Sequence, residues 1–287
     1  MAIRSLPFRH SGKPQLGCEL FRLASLYDRA ERKTIDHALE TPQRPEFHTL
    51  YLGLRGRGTL VVDFTRVPLG ADHLTVVAKG RVQQFVVERG VDAWMVLIAP
   101  ELVGPSPVLS PLWARPALAI PQPERATLLE LAELLDHEHA RPFDAQQPAI
   151  LEGLVRALLG RAERMLAGRV ALPTGPLERF FTILDRDHLK TRSVAHYARA
   201  AGISPRRLGE LLGAHVGKST KQVVDERVVL ELKRMLVHTR LSVKELAARA
   251  GFEEPTNLVK FFRHHTATTP TAFREAHRTF LPSGRRS

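Results

Sequence analysis

The chain has 287 residues, 44% of them hydrophobic, and a formal net charge of +12. That length and composition suit one large or two modest globular domains and exclude wholesale disorder. A single cysteine, Cys18, rules out an intramolecular disulfide and any zinc site of four cysteines, or of two cysteines with two histidines; it fits a reducing compartment. The first ten residues lack the apolar core of a signal peptide, and the longest apolar run, 94–100, is too short to span a bilayer. A cytoplasmic protein with no membrane partner is therefore expected.

Residues 45–99 carry short apolar segments at 47–52, 58–64, 74–77, 83–87 and 93–98, punctuated by Gly53, Gly56, Gly58, Gly70, Gly80 and Gly90. Short strands at close spacing with glycine-bearing turns predict a small antiparallel barrel or sandwich. The prolines from Pro100 to Pro123 forbid a regular helix and predict a stiff extended connection. Two helical patterns follow. One, at 124–140, puts Leu128, Leu131, Leu134 and Leu135 on a face; the other, at 147–167, does so with Leu151, Leu154, Val155, Leu158, Leu159 and Met165. Residues 168–176 read as a linker.

From Leu177 the helical period dominates, with helices expected at about 177–187, 193–201, 204–214, 219–237, 242–250, 254–265 and 270–280. The positive charge also concentrates here: residues 173–287 hold 21 Lys/Arg against 11 Asp/Glu, whereas 1–172 hold 21 against 19. Such asymmetry suits a polyanion partner, though a basic solvated surface has the same composition.

One pattern occurs twice in this region. Ser193-Val194-Ala195-His196-Tyr197-Ala198-Arg199-Ala200-Ala201-Gly202-Ile203 and Ser242-Val243-Lys244-Glu245-Leu246-Ala247-Ala248-Arg249-Ala250-Gly251-Phe252 share their small, apolar and glycine positions. Each begins with a serine suited to cap a helix and ends in a glycine suited to a positive-φ turn. Each is followed by a second helix start, Ser204-Pro205 and Glu254-Pro255, with proline where no amide hydrogen bond is needed. Leu208 and Leu211 in the first copy, and Leu258, Phe261 and Phe262 in the second, point back to the core. This is a helix-turn-helix, present twice at about 193–214 and 242–265, joined by one long helix. Phe252, Phe261, Phe262 and Phe273 are core residues by spacing, not a base-stacking platform.

The run from Gly251-Phe252 through Asn257-Leu258-Val259-Lys260-Phe261-Phe262 to Thr269-Pro270 and Phe273-Arg274 resembles the signature of the AraC/XylS transcription regulators. Leu258 and Ala267 depart from it, replacing an aromatic residue and a glycine. The resemblance implies an α+β protein: a cupin-like barrel with two following helices in residues 1–167, a linker at 168–176, and an all-α domain of seven helices at 177–287. It implies double-stranded DNA as partner, with two recognition helices in successive major grooves. Base-contact positions carry over to Arg206, Glu210, Thr256, Asn257 and Lys260, and also to Gly209 and Pro255, which have no side chain able to read a base. Arginine suits guanine, asparagine adenine, and glutamate cytosine. Arg207, Lys218, Ser219, Lys221 and Arg263 are the corresponding phosphate contacts.

By the same resemblance the barrel binds a small-molecule effector, with His48, Leu50 and Trp94 expected in its pocket. The two helices after it either dimerise the protein or cover the barrel's own core. An activator would take RNA polymerase as a further partner. A cupin-type metalloenzyme fused to a DNA-binding tail is the competing class. It needs several converging histidines, and His48 stands where a His-x-His pair belongs, with Gln83 and Gln84 where another ligand would sit. Neither a metal nor another cofactor, nor catalysis, is expected. DNA repair by methyl transfer, which needs several cysteines, is excluded by Cys18 standing alone. A regulator needing no effector stays open.

Overall fold

The computed structural model describes residues 4–8, 16–26, 41–86, 90–104, 106, 109, 117–167 and 173–277. They fall into two compact units divided between Leu172 and Pro173. The predicted linker therefore lies partly outside the described residues, and its end is already helical: Gly175 caps a helix that has Pro176 in its first turn.

The first unit begins with β1 (Arg4–Leu6), β2 (Cys18–Arg22), β3 (Gln43–Pro45), β4 (His48–Arg55) and β5 (Arg57–Val62). It continues with β6 (Thr65–Gly70), β7 (His73–Val77), β8 (Gln83–Val86), β9 (Asp92–Ile98), α1 (Pro100–Val103), β10 (Ala117–Ala119), α2 (Gln122–Ala140) and α3 (Gln147–Ala167). One sheet has the order β1-β3-β8-β5-β6, the other β10-β7-β4-β9-β2. The β1–β3 pairing is parallel, and the other pairings are antiparallel.

The two-residue period of β4 and β9 explains the layering. Leu50 pairs with Val96 and Leu52 with Trp94 across the two strands. These residues point to a core shared with Leu128, Ala132 and Leu135 of α2 and Leu151, Val155 and Leu158 of α3. Tyr51, Ala93 and Met95 point the other way, into a second core with Leu60, Val62, Val67, Leu69 and Phe85 of the opposite sheet. Both faces of the central strands are covered, which is why they read as unbroken apolar runs.

Several expectations are corrected here. Leu134 is 53% exposed; Ala132, at the right helical spacing from Leu128 and Leu135, takes the inward place. The proline-rich segment is not simply an extended connection: Pro100 sits in the first turn of α1, where its missing amide hydrogen costs nothing, and β10 pairs with β7. Strand β6 carries Pro68 and is tolerated because it lies at the edge of its sheet. The β5–β6 hairpin turns on Asp63 and Phe64, both at positive φ (46° and 72°). That turn usually takes asparagine and glycine. Here the Asp63 carboxylate holds it by accepting from Arg81 Nε at 2.7 Å and Val82 N at 3.0 Å.

The residues expected in an effector pocket, His48, Leu50 and Trp94, are all buried. Leu50 and Trp94 are buried in the core beneath the helices, not facing the space between the sheets. His48 is buried as well; its Nδ1 accepts from the Lys79 backbone N at 3.1 Å, and burial, aided by the Lys79 charge, pushes its pKa down to about 4. An open groove of about 450 Å³ runs along Arg57–Thr59, Arg66–Gly70 and Asp72–His73. Among the described residues no group of three or more His, Cys, Asp or Glu side chains is placed to hold a metal ion. No described helix is long and apolar enough to cross a membrane.

The two faces of α2 can be told apart by substitution. Leu128→Ala is expected to cost about 2–5 kcal/mol, whereas Leu134→Gln stays within about 0.5 kcal/mol of the parent. Denaturant titration of the two variants checks this.

Candidate nucleic-acid interface

The second unit consists of α4 (Pro176–Asp187), α5 (Val194–Ala200), α6 (Pro205–Val216), α7 (Thr220–His238), α8 (Val243–Arg249), α9 (Pro255–Thr266) and α10 (Pro270–Ala276). Local sequence sets nearly every boundary. The side chains of Ser193, Ser204, Ser219, Ser242 and Thr269 each accept a hydrogen bond from a backbone N–H in the first turn of the helix they precede. Ser219 with Gln222, and Ser242 with Glu245, complete reciprocal capping boxes. The two exceptions are Gly175, which has no side chain to cap α4, and Glu254, whose side chain makes no capping bond to α9.

The two turns match. Gly202 has φ 77° and Gly251 φ 67°, values that glycine adopts without steric cost. Their second helices end alike, in the left-handed region, at Gly217 (φ 68°) and Ala267 (φ 58°). Alanine has a Cβ that crowds this conformation, at about 1–2 kcal/mol.

In α6 the core is filled by Leu208 and Leu212, with Leu211 only half-buried; the predicted inward position is off by one residue. In α9 it is filled by Leu258 and Phe262, with Phe261 half-buried. Phe252 is buried, and Phe273 packs edge-on against Phe262. The remaining face of each helix is polar. Arg206, Glu210, Thr256, Asn257 and Lys260 are all exposed, as are Arg207, Lys218, Ser219, Lys221 and Arg263.

These exposed groups differ in how free they are. Glu210 is gripped by Arg207 and Arg206, each at 3.1 Å, and these hydrogen bonds hold its carboxyl below the usual carboxylate range. Lys218 pairs with Glu226 and Lys221 with Asp225, both at 2.8 Å. Both the hydroxyl and the backbone N–H of Ser219 are engaged in the capping box with Gln222.

Helix α7 joins the two copies. Fourteen of its nineteen residues are buried, among them Asp225, Arg227, Glu231 and Arg234. Arg227 bonds Asp185 of α4 at 3.0 Å and lies 3.4 Å from Glu231, which also pairs with Arg234 at 2.9 Å. Burial pushes the Asp185 carboxyl up, against the pull of Arg227. His188 is buried next to this network, with Nδ1 2.9 Å from the Asp185 carbonyl oxygen; burial, then the Arg227 charge, lowers its pKa to about 4.

Sequence reasoning missed three arginines that donate to backbone carbonyls. Arg179 of α4 donates to the Ala201 carbonyl from Nε (3.1 Å) and from its terminal nitrogen (2.8 Å). Arg192 donates to Ala250 and Gly251. Arg274 donates to Leu236 and Leu241, tying α10 to the end of α7. Partners 22 to 59 residues apart leave no local signature.

Two outcomes follow. Ala267→Gly relieves the left-handed strain and should raise unfolding stability by up to about 1 kcal/mol; chemical denaturation reads it. His188 has a folded-state pKa below its unfolded value of about 6.5, so the unfolded chain takes up the proton first. Stability is then full above about pH 6.5 and declines as pH falls toward about 4. Melting temperature against pH should show this slope, and His188→Gln should reduce it; an unchanged slope contradicts the assignment.

A model of an AraC-binding-like domain matches residues 14–161, and a helix-turn-helix domain model matches residues 197–276. The chain is 25% identical over 158 residues to the HTH-type transcriptional regulator ExsA of Pseudomonas aeruginosa, covering 50% of this chain and 52% of that protein. It is 24% identical over 121 residues to the virulence regulon transcriptional activator VirF of Yersinia enterocolitica, covering 42% and 45%. It is 31% identical over 113 residues to the HTH-type transcriptional regulator GlxA of Rhizobium meliloti, covering 39% and 33%. The matched part thus spans about half, or less, of the length of these relatives. The first domain match takes in both sheets apart from β1, and most of the helical layer, the second takes in both turns and both exposed polar helix faces, and the chain belongs to the AraC/XylS family of transcription regulators.

Proposed function

We propose that the chain is a sequence-specific DNA-binding regulator that reads two adjacent major grooves with α6 and α9. The observation that carries this reading is the matched pair of amphipathic helices. Each follows a positive-φ glycine turn, seats one face in the core and turns a polar face outward. Arg206, Glu210, Thr256, Asn257 and Lys260 lie on those outward faces and serve as base contacts; Arg207, Lys218, Ser219, Lys221 and Arg263 serve as phosphate contacts. The asymmetry of charge supports the same partner, since neutralising phosphates releases counterions and favours binding. Arg227 and Arg234 are spent on internal pairs and take no part.

The first unit senses a small-molecule effector and dimerises the protein through the helical layer formed by α2 and α3, and effector binding shifts a pre-existing equilibrium in how DNA is engaged. The protein acts in the cytoplasm as an activator, with RNA polymerase as a further partner, as the description of VirF as a transcriptional activator suggests. It carries out no catalysis.

Selection of binding sites from a random duplex pool by the full-length protein tests the core of this reading. A recurrent sequence should emerge. Against it, Asn257→Ala and Arg206→Ala should each cost about 1–3 kcal/mol and relax preference at one base. Arg263→Ala should weaken all sequences alike and lower the salt slope by about one. A pool that enriches no sequence overturns the proposal.

A further inference from the structure

The two helix-turn-helix copies share α7, yet the structure holds a second connection between them. It is the loop from His188 to Ser193, between α4 and α5. On the side of the first copy, the Thr191 carbonyl accepts from the hydroxyl of fully buried Tyr197 at 2.7 Å. Lys190 N and Thr191 N donate to the Asp187 carbonyl at 2.8 and 3.1 Å, and Ser193 caps α5. The loop is therefore a fixed part of the first copy.

On its other side the same loop is seated on the turn of the second copy. Arg192 donates to the Ala250 carbonyl at 3.0 Å and to the Gly251 carbonyl at 3.2 Å. Its guanidinium lies 3.9 Å from the centre of the Phe252 ring and 5.9 Å from that of Phe261 in α9. Leu189 packs into the core built by Leu246, Phe252, Leu258 and Phe262. A Cβ on Gly251 would meet the Leu189 carbonyl oxygen at 3.0 Å, so the backbones approach as closely as glycine allows. Arg192 thus touches the last carbonyl of α8's cap, the turn glycine, the plug residue of the turn and the recognition helix itself.

We infer that Arg192 is a positioning residue that fixes the second recognition helix relative to the first, and so sets the half-site spacing the protein accepts. This rests on the DNA-reading function proposed above. One connection, α7, leaves a hinge about its own axis and ends; a second connection at a distance removes it. A planar, forked guanidinium that bridges two carbonyls while stacking on an aromatic ring constrains direction as well as distance, which a lysine ammonium cannot do. Shifting one half-site by a base pair moves it by about 3.4 Å and rotates it by about 35°. A rigid pair of helices cannot follow both changes, whereas a loosened pair can.

The test uses full-length protein and duplexes recovered by wild-type selection, remade with one base pair added or removed between the two half-sites. Wild type should prefer the native spacing by about tenfold or more, the scale of a lost base contact. Arg192→Ala and Arg192→Lys, each assayed below its melting temperature, should reduce that preference to about threefold or less. A preference that stays at the wild-type value in either variant overturns the inference, as does uniform weakening at every spacing with the ratio preserved. Failure of the selection itself would instead remove the DNA-reading proposal, so the two failures are distinguishable.

Discussion

The second unit depends on one helix that is buried on nearly every side. A helix in that position would ordinarily be apolar all round. Helix α7 instead carries Asp225, Arg227, Glu231 and Arg234 inward, because each finds an opposite charge within hydrogen-bonding reach. Burying a lone charge costs several kcal/mol, and only paired and hydrogen-bonded ions are tolerated. The pairing is directional: Arg227 must meet Asp185 of α4 on one side and Glu231 on its own helix. The network therefore fixes the rotation of α7 about its axis, a choice that the apolar residues Val228, Leu232 and Leu236 alone would specify less strictly.

The two helix-turn-helix copies are built outward from that axis. Short helices such as α5 and α8 have too few residues to be stable alone. They persist because serine caps close their first turns and because arginines close their ends, Arg179 at Ala201 and Arg192 at Ala250 and Gly251. Helices α6 and α9 inherit this order. Their inward faces are fixed by Leu208 and Leu212, and by Leu258 and Phe262, which leaves Arg206, Asn257 and Lys260 outward at defined positions on rigid elements. Precision at an interface comes from such support more than from the contacting residues themselves.

The parts legible in the sequence are those with local causes. Glycine at a positive-φ turn, serine at a helix start and proline in a first turn act within a few residues, so all seven helices of the second unit and both turns could be read directly. Leu211 and Leu212 lie three and four residues after Leu208 and flank its direction on opposite sides, so the helical period alone does not choose between them; the packing of α6 decides for Leu212. The positions proposed to contact bases rest on the family resemblance, since an exposed polar residue on a helix looks the same whether it meets DNA or water. In the first unit, central strands covered on both faces carry no alternation. Nothing in the sequence told whether Leu50 and Trp94 look toward the opposite sheet or toward α2 and α3. The β5–β6 turn was hidden because Asp63 and Phe64 lack the usual turn chemistry, and Arg81, which holds it, lies 18 residues away. The clamp made by Arg192 is longer in range still.

The central claim is that a pair of short helices, supported by one buried axis, engages a single duplex at two places. Hydroxyl-radical footprinting of the full-length protein on a selected site addresses it most directly. Two protected tracts on one face of the duplex, centred about one helical turn apart (about 34 Å), are the predicted result. One isolated tract, or two on opposite faces of the duplex, would contradict it.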